Sequence, residues 1–381
     1  MCSLSLFGHL SNQLERLCEL VGADSAPAVG LLDNLLGPVG SRPLSERPDW
    51  PSNVADDNTP VEFSIAFNAD GHPILRILGE ALGPQPSAAT NLSAARRFLD
   101  TQADHFDLSM YRFNLVQDLF TTENVRGEFG IWHSIVLQKG RQPDFKVYFN
   151  PEARGVDRSP DLVAEALRRL GLARSYQTML DHGVRPGELA RRDRLTFFAL
   201  DLHDRAQARV KLYLSHHGAE AQHVVRAASA VDGIDGAELA EFCQAVGGGP
   251  GPFDDRPLVG SYTFTEEADR PVGYSLYVPI RSYVHDDEEA RDRVAAVLER
   301  YGFDSTGLDR AVSAVTRRRL RAGVGLIAHA SLRLGLPRPG VTVYFSAEAY
   351  RTYPPRPRLV PASAPPPAIQ RIGRPADRSA A

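Results

Sequence analysis

Four tyrosines recur at almost equal intervals in this chain of 381 residues, each in the middle of a strand-like string. Tyr148, Tyr213, Tyr277 and Tyr344 are separated by 65, 64 and 67 residues, and they lie in the strings KVYF, KLYL, SLYV and TVYF. A unit of this length is longer than a solenoid repeat and has room for helices and a hairpin. The spacing therefore predicts one architecture built from repeated helix–helix–strand–strand units.

Five pairs of segments with alternating apolar and polar residues are predicted to be β-hairpins. They are 61–67 with 73–79, 130–138 with 144–150, 195–202 with 208–215, 260–265 with 273–280, and 323–330 with 340–346. Helical periodicity predicts helices at 10–22, 92–119 (two helices), 160–171, 173–182, 236–246, 286–301 and 306–315. The predicted fold class is therefore α+β, with ten antiparallel strands and a layer of helices.

The alternation within each strand indicates which face needs cover. In 209–215, for example, the apolar Val210, Leu212 and Leu214 alternate with polar residues. Helices can cover the apolar faces, so the polar faces must point elsewhere. If the ten strands close, these faces line a lumen wide enough to hold ligands. We predict a single domain over residues 8–350, a ten-stranded antiparallel β-barrel with an outer ring of helices and a charged, tyrosine-rich inner wall.

Composition excludes several classes of protein. The 43 basic and 47 acidic residues give a net charge of −4, which does not indicate a basic surface for nucleic acid. No apolar run is long enough to span a membrane. Cys2, Cys18 and Cys243 are odd in number and far apart, so they predict neither a disulfide framework nor a zinc site and favour the cytoplasm. Residues 352–381 are rich in Pro, Ala and Arg without periodicity, and are predicted to be disordered.

Several cations lie on polar strand faces that would point into the lumen. They are Arg76, Lys146, Arg209 and Lys211. Unpaired buried cations are costly, so the set needs an anion, and a diphosphate suits both their number and the fork geometry of arginine. The acidic clusters of the chain give no DDxxD pattern, so protein cations rather than magnesium would hold the anion. For each residue taken singly, the alternative is a solvated strand edge.

Other candidates for chemistry lie on the same faces. The four tyrosines would shield an allylic carbocation from water, or they could simply fill a core. Glu62, mid-strand in TPVEFSIAF, needs a donor such as an indole N–H, or else an internal ion pair with a lumen arginine. His133 is a candidate base for the proton lost by an attacked ring, although a lone strand histidine is more often structural.

Five strings occur in the order of a known family: TPVEFSIAF, KVYFNPEARG, RVKLYL, GYSLYVP and VTVYFS. Over about residues 10–350, the chain resembles the aromatic prenyltransferases of the dimethylallyltryptophan synthase type, above all the bacterial indole prenyltransferases. That family folds as a ten-stranded antiparallel barrel with outer helices in five repeats. The resemblance implies a cytoplasmic enzyme of alkaloid secondary metabolism. It would move a dimethylallyl group from dimethylallyl diphosphate, its co-substrate, to the indole of L-tryptophan or a related indole, with no metal or other cofactor.

The resemblance also implies roles for individual residues. The four cations would bind the diphosphate, the four tyrosines would form the shield, and Glu62 would accept the indole N–H. His133 stands thirteen residues before Lys146, where some fungal members carry a lysine proposed to accept the ring proton. Asn150 replaces an aromatic residue that contacts the acceptor in some relatives, and Arg194 is assigned to the acceptor's carboxylate.

Two other functions stay open at this point. The same barrel could prenylate a phenol, a naphthalene or tyrosine, or it could be a non-catalytic carrier of an isoprenoid diphosphate. Substitution of Glu62 by glutamine distinguishes the indole enzyme from the carrier. The enzyme would lose most of its rate, whereas binding by a carrier would not change. The expected partners are the small-molecule substrates, with no nucleic acid and no membrane, and the chain could form a homodimer.

Overall fold

Ten antiparallel strands close into a barrel in the computed structural model, which describes residues 4–68, 71–122, 124–205, 208–265, 268–335 and 339–357. Each strand pairs with its neighbours in the chain, and β1 pairs with β10. The strands are β1 Val61–Asn68, β2 Ile74–Gly79, β3 Ile131–Leu137, β4 Asp144–Phe149, β5 Asp193–Asp201, β6 Val210–His216, β7 Leu258–Phe264, β8 Gly273–Val278, β9 Ile327–Gly335 and β10 Gly340–Ser346. The predicted fold class is confirmed.

A pair of α-helices precedes each hairpin, so that five helix–helix–strand–strand units follow one another. The helices are α1 Leu6–Val21, α2 Ser25–Leu36, α3 Ala88–Phe106, α4 Tyr111–Phe120, α5 Ser159–Arg169, α6 Ala173–Gly183, α7 Ala221–Ala228, α8 Gly236–Gly247, α9 Asp287–Arg300 and α10 Thr306–Val315. The repeat that the tyrosine spacing predicts is therefore the repeat of the fold. None of the helices in the described ranges has the length and apolar character needed to cross a membrane.

The first helix shows why these sequences form an outer layer. Ser5 caps α1 by accepting the backbone N–H of Gly8 at 3.0 Å, and Gly22, at φ 67°, ends the helix in the left-handed conformation. Leu10 and Leu14, four residues apart, are fully buried on its inner face. Burial of one such leucine contributes about 1.5–3 kcal/mol, so helices of this kind fix the apolar outer face of the barrel.

The apolar side chains of the strands point outward into this layer. Phe63 and Ile65 on β1, Ile77 on β2 and Val147 on β4 are fully buried in the same core cluster as the helix residues. Because side chains alternate along a strand, the residues between them point into the lumen. The predicted assignment of faces therefore matches the structure on these strands.

Two helices lie where the sequence suggested none. One is α2, whose sequence SAPAVGLLDNLL contains Pro27 and Gly30, and the other is α7, which has only eight residues. Both complete a pair, so tertiary packing rather than helical propensity decides these segments.

The ninth strand begins four residues later than predicted and ends five residues later. Val324 and Leu326 are buried, as a strand would require, but Gly325 has φ +107° and donates its N–H to Asp287 Oδ1 at 2.9 Å. This contact makes the segment before Ile327 irregular. The correction matters for the site, because it moves residues 331–335 into the barrel wall.

Part of the segment predicted to be disordered packs against the barrel. Tyr353 accepts the N–H of Val324 at 3.0 Å through its carbonyl and donates its hydroxyl to the carbonyl of Asp56 at 2.7 Å. The N–H of Arg356 bonds to the carbonyl of His285 at 2.8 Å. Residues 352–357 are thus ordered, which corrects the predicted start of the tail; the rest of it, 358–381, lies outside the described residues.

Candidate active site

The four repeat tyrosines form a continuous row around the lumen wall. Their ring centroids are 6.0 Å apart for Tyr148 and Tyr213, 5.7 Å for Tyr213 and Tyr277, and 5.7 Å for Tyr277 and Tyr344. Burial raises the pKa of Tyr148 to about 12, so its phenol stays neutral at physiological pH. The row offers a wall of aromatic faces, and such faces attract a cation most strongly where water is excluded.

Five cations converge on one region of the lumen, toward the hairpin ends of the strands. Burial lowers the pKa of Lys211 well below its usual value, and the nearby charges of Arg209, Lys146, Arg333 and Arg76 lower it further. Four of these residues are those predicted from the strand faces. Arg333 on β9 is the fifth, and the sequence prediction missed it because the strand was placed too early.

Asp201 on β5 organises two of these cations. Its carboxylate lies 2.6 Å from Lys146 Nζ and 2.8 Å from Arg209 Nε. Burial alone would raise the pKa of Asp201, but the charges of Lys146 and Arg209 outweigh it and hold the pKa well below the usual range. Among the residues that the structure describes, Asp201 pairs with both Lys146 and Arg209, and an oligoanion would add negative charge to the cations that surround Lys211.

The charge of Lys146, another member of this cluster, can titrate near neutral pH. Burial, followed by repulsion from Arg209, lowers its pKa to about 8, although Asp201 acts in the opposite direction. A bound diphosphate would add negative charge beside the ammonium and favour its protonated form.

Glu62 lies in the lumen on β1, next to the strand that carries Arg76. It is farther from the hairpin end of the strands than the cation cluster is. Its carboxyl is buried, and no residue that the structure describes donates a hydrogen bond to it. Burial, together with the neighbouring Asp56, raises the pKa of Glu62 to about 8, against the opposing charge of Arg281. Asp56 is itself paired with Arg281 and, at 2.5 Å, with Arg256. A buried carboxyl without a donor can accept one from a ligand, and such a donor would favour its ionised form.

A second, smaller cluster of buried side chains lies apart from the main core and lines the lumen beside Glu62, and we call it the aromatic wall. Phe129, Trp132 and Val54 are buried together, and Leu78, Tyr148 and Phe197 pack against them. The rings of Phe129 and Trp132 stack with centroids 4.1 Å apart, and Phe197 lies 5.5 Å from Trp132. The wall gives a flat aromatic acceptor an apolar surface within reach of the tyrosine row.

His133 does not reach the lumen, which corrects its predicted role as the base. It alternates with Trp132 on β3 and therefore points outward, where its ring lies 4.9 Å from that of Phe98 on α3. Burial lowers the pKa of His133 to about 3, and the backbone of Ala95 acts weakly in the opposite direction. His133 is a core residue between β3 and α3.

Arg194 and Asn150, the two other predicted contacts of the acceptor, are engaged within the protein. Arg194 Nε donates to Glu152 Oε1 at 2.7 Å, and a second bond makes the pair bidentate. Asn150 donates to the carbonyl of Phe129 at 2.8 Å and accepts the N–H of Glu152 at 2.9 Å. Both side chains thus hold the loop after β4, and their contacts with the acceptor stay predictions.

The sequence analysis also missed His329, Asp201 and the pair of Asp56 with Arg281. The alternation His329, Ser331, Arg333 was a usable signal for one more polar strand face, whereas nothing local links Asp56 to Arg281, 225 positions later. The described residues bring no three His, Cys, Asp or Glu side chains together in a group that could hold a metal ion.

Known proteins match most of this chain. The family model described as tryptophan dimethylallyltransferase matches residues 31–310. The structure of 6-dimethylallyltryptophan synthase from Micromonospora olivasterospora, in complex with DMASPP and Trp, is 66% identical, with a TM-score of 0.90 over 93% of this chain and 100% of that chain.

Two further solved structures are similar at lower identity. The prenyltransferase PriB, in a ternary complex with L-tryptophan and dimethylallyl thiolodiphosphate, is 38% identical, with a TM-score of 0.86 over 93% of this chain and 100% of that one. The 5-dimethylallyltryptophan synthase of Streptomyces coelicolor is 34% identical, with a TM-score of 0.84 over 92% and 100% of the two chains.

Proposed function

The chain belongs to the tryptophan dimethylallyltransferase family, and we propose that it transfers a dimethylallyl group from dimethylallyl diphosphate to carbon 6 of the indole of L-tryptophan. The observation that carries this proposal is the polarity of the lumen. In the part of the chain that the structure describes, a cluster of cations lies at one end, a buried carboxyl with no hydrogen-bond donor lies at the other, and the tyrosine row lies between them.

The cation cluster is the site for the diphosphate of the donor. As the C–O bond of the donor breaks, negative charge grows on the leaving diphosphate, and fixed cations stabilise that charge without reorganising. Lys146 and Arg209 are already positioned by Asp201. The protein's own side chains can therefore supply the positive charge that ionisation needs, and we propose that the reaction requires no divalent ion.

The dimethylallyl cation formed in this step would lie against the tyrosine row. The aromatic faces stabilise positive charge, and the closed wall keeps out water, which would otherwise capture the cation as an alcohol. This assigns the row the role of the cation shield.

Glu62 is the group that would orient the acceptor. Its carboxylate can accept the indole N–H, while the aromatic wall around Trp132 contacts the ring. A hydrogen bond to a carboxylate raises the electron density of the ring, and fixed placement makes the attack effectively unimolecular. The new C–C bond then forms at whichever ring carbon faces the cation.

The position of attack is proposed from similarity. The 6-dimethylallyltryptophan synthase is 66% identical to this chain, against 34% for the 5-dimethylallyltryptophan synthase. Since the position depends on small differences in how two substrates are held, the greater identity favours carbon 6.

We place the enzyme in the cytoplasm, acting on small molecules without a nucleic-acid or membrane partner. Cys18 and Cys243 are buried free thiols, which suits a reducing compartment, and the net charge of −4 gives no footprint for nucleic acid. The homodimer stays a prediction.

The test is incubation of the purified protein with dimethylallyl diphosphate and L-tryptophan in the presence of a chelator. We expect a mass gain of one dimethylallyl unit and NMR signals of a 6-substituted indole. Prenylation at another ring atom would overturn the assignment to carbon 6. Absence of a prenylated indole would overturn the proposed function, and dependence on added Mg²⁺ would overturn metal independence.

A further inference from the structure

His329 is an imidazole on the inner wall of the barrel. It pairs in register with Tyr344 across β9 and β10, and the two rings meet edge to face with centroids 6.2 Å apart. Tyr344 pairs in turn with Ser64 on β1, two residues from Glu62. His329 therefore stands beside the last tyrosine of the row, in the part of the lumen where the cation and the acceptor ring would meet.

We propose that His329 accepts the proton that the acceptor ring loses after the prenyl group is attached. This inference rests on the proposed function. In that step the donor's C–O bond has broken and the new C–C bond has formed, which leaves a cationic ring. The electrons of the ring's C–H bond return to the ring and restore aromaticity. The proton moves to a nitrogen of His329 and then to water, and the diphosphate departs as the anion.

The charges around His329 keep it ready for this role. The groups facing it are Arg256, Arg281 and Tyr344. Burial, followed by the repulsion of Arg256 and Arg281, lowers the pKa of His329 to about 3, so the ring is neutral and has a free lone pair at physiological pH. A cationic arene is a far stronger acid than imidazolium, so the transfer is downhill even to this weak base. The same two arginines then favour release of the proton.

Other basic groups of the site are less suited to the step. His133 points outward against Phe98. Lys146 is held by Asp201 among the diphosphate cations, and Glu62 is committed to the indole N–H. His203 lies 3.7 Å from Asp201, at the cation end of the lumen. Among these groups, only His329 combines a neutral lone pair with a place beside the tyrosine row.

The test compares wild type with His329→Ala and His329→Asn, using tryptophan deuterated on its benzene ring. Loss of a general base costs roughly 10²–10⁴-fold in kcat, and we expect a fall of that order with little change in KM for either substrate. The variants should show a primary deuterium isotope effect that wild type lacks, because proton removal becomes rate-limiting. Added imidazole should partly restore the alanine variant.

His133→Asn is the matched control. It removes a buried imidazole from the outer face of the barrel wall, so it should lower the melting temperature without creating the isotope effect. If the alanine variant does not fold, the asparagine variant carries the same test, because it keeps a polar side chain of similar size.

The outcomes separate this inference from the proposed function. Wild type that does not prenylate tryptophan contradicts the proposed function. If wild type prenylates tryptophan, and the folded His329 variants have an unchanged kcat and no isotope effect, the role of His329 alone is overturned.

Discussion

Lys146 Nζ and Asp201 Oδ1 lie 2.6 Å apart on paired residues of β4 and β5, at the cation end of the lumen. The pair keeps an ammonium charged where burial and Arg209 would otherwise neutralise it. It also fixes the position of that charge before any substrate arrives, which lowers the cost of binding an anion.

The titration of Lys146 makes the first prediction. Its pKa of about 8 in the free enzyme lies below that of an ordinary lysine, so the ammonium is lost as pH rises through 8. We expect kcat/KM for dimethylallyl diphosphate to fall over that range. Lys146→Arg should weaken the fall, since a guanidinium stays charged, and Asp201→Asn should move it to lower pH. An unchanged profile in both variants would contradict the assignment.

Arg333 makes the second prediction, as the cation of the cluster that the sequence analysis missed. Its pKa is lowered to about 10 by burial, then by Arg76 and Arg209, which places it in their cluster. Loss of one group that stabilises transition-state charge costs about 10²–10³-fold. We expect Arg333→Gln to lower kcat/KM for dimethylallyl diphosphate by that order. Arg174→Gln, at an 84% exposed side chain, is the control, and equal activity of the two variants would refute the role.

Tyr213 makes the third prediction, since it contacts two other members of the row. Tyr213→Phe keeps an aromatic face, whereas Tyr213→Leu removes it. We expect the leucine variant to release more dimethylallyl alcohol per prenylated product, because water captures a poorly shielded cation. The ratio of the two products, measured by chromatography, should stay near the wild-type value in the phenylalanine variant. Equal ratios in wild type and the leucine variant would refute the shield.

The pKa of Glu62 makes the fourth prediction, on stability. Because its folded-state pKa of about 8 is raised, the fold favours the protonated carboxyl. That stabilisation is complete below the ordinary carboxyl range and is lost as pH rises through 8. Glu62→Gln stays neutral, so its melting temperature should rise relative to wild type between pH 6 and pH 9. The exposed Glu188→Gln is the control. A relative melting temperature that does not change with pH would contradict the shift.

Periodic features of the sequence predict most of the barrel. The tyrosine repeat predicts the hairpins. The alternation around Lys211 predicts the inner face, because successive side chains of a strand point to opposite faces. His133 shows the limit of that reasoning. It alternates with Trp132, so a wider use of the same rule would have placed it outside.

Other parts of the site depend on contacts that no local pattern encodes. The start of β9 depends on Asp287, 38 residues before Gly325. The environment of Glu62 depends on Asp56 and Arg281, which only the closed barrel brings together. The sequence accordingly predicts the inner face well and the charges at the acceptor end poorly.

The claim that Glu62 holds the acceptor by its indole N–H has one direct test. Wild type and Glu62→Gln are each assayed with tryptophan and with its benzothiophene analogue, in which sulfur replaces the N–H. The analogue is intrinsically less reactive with both proteins, so this difference cancels when the two losses of kcat/KM are compared. The four measurements thus form a double-mutant cycle that isolates the coupling between Glu62 and the N–H. We predict that the analogue loses far more kcat/KM in wild type than in the variant. Equal losses in the two proteins would contradict the account.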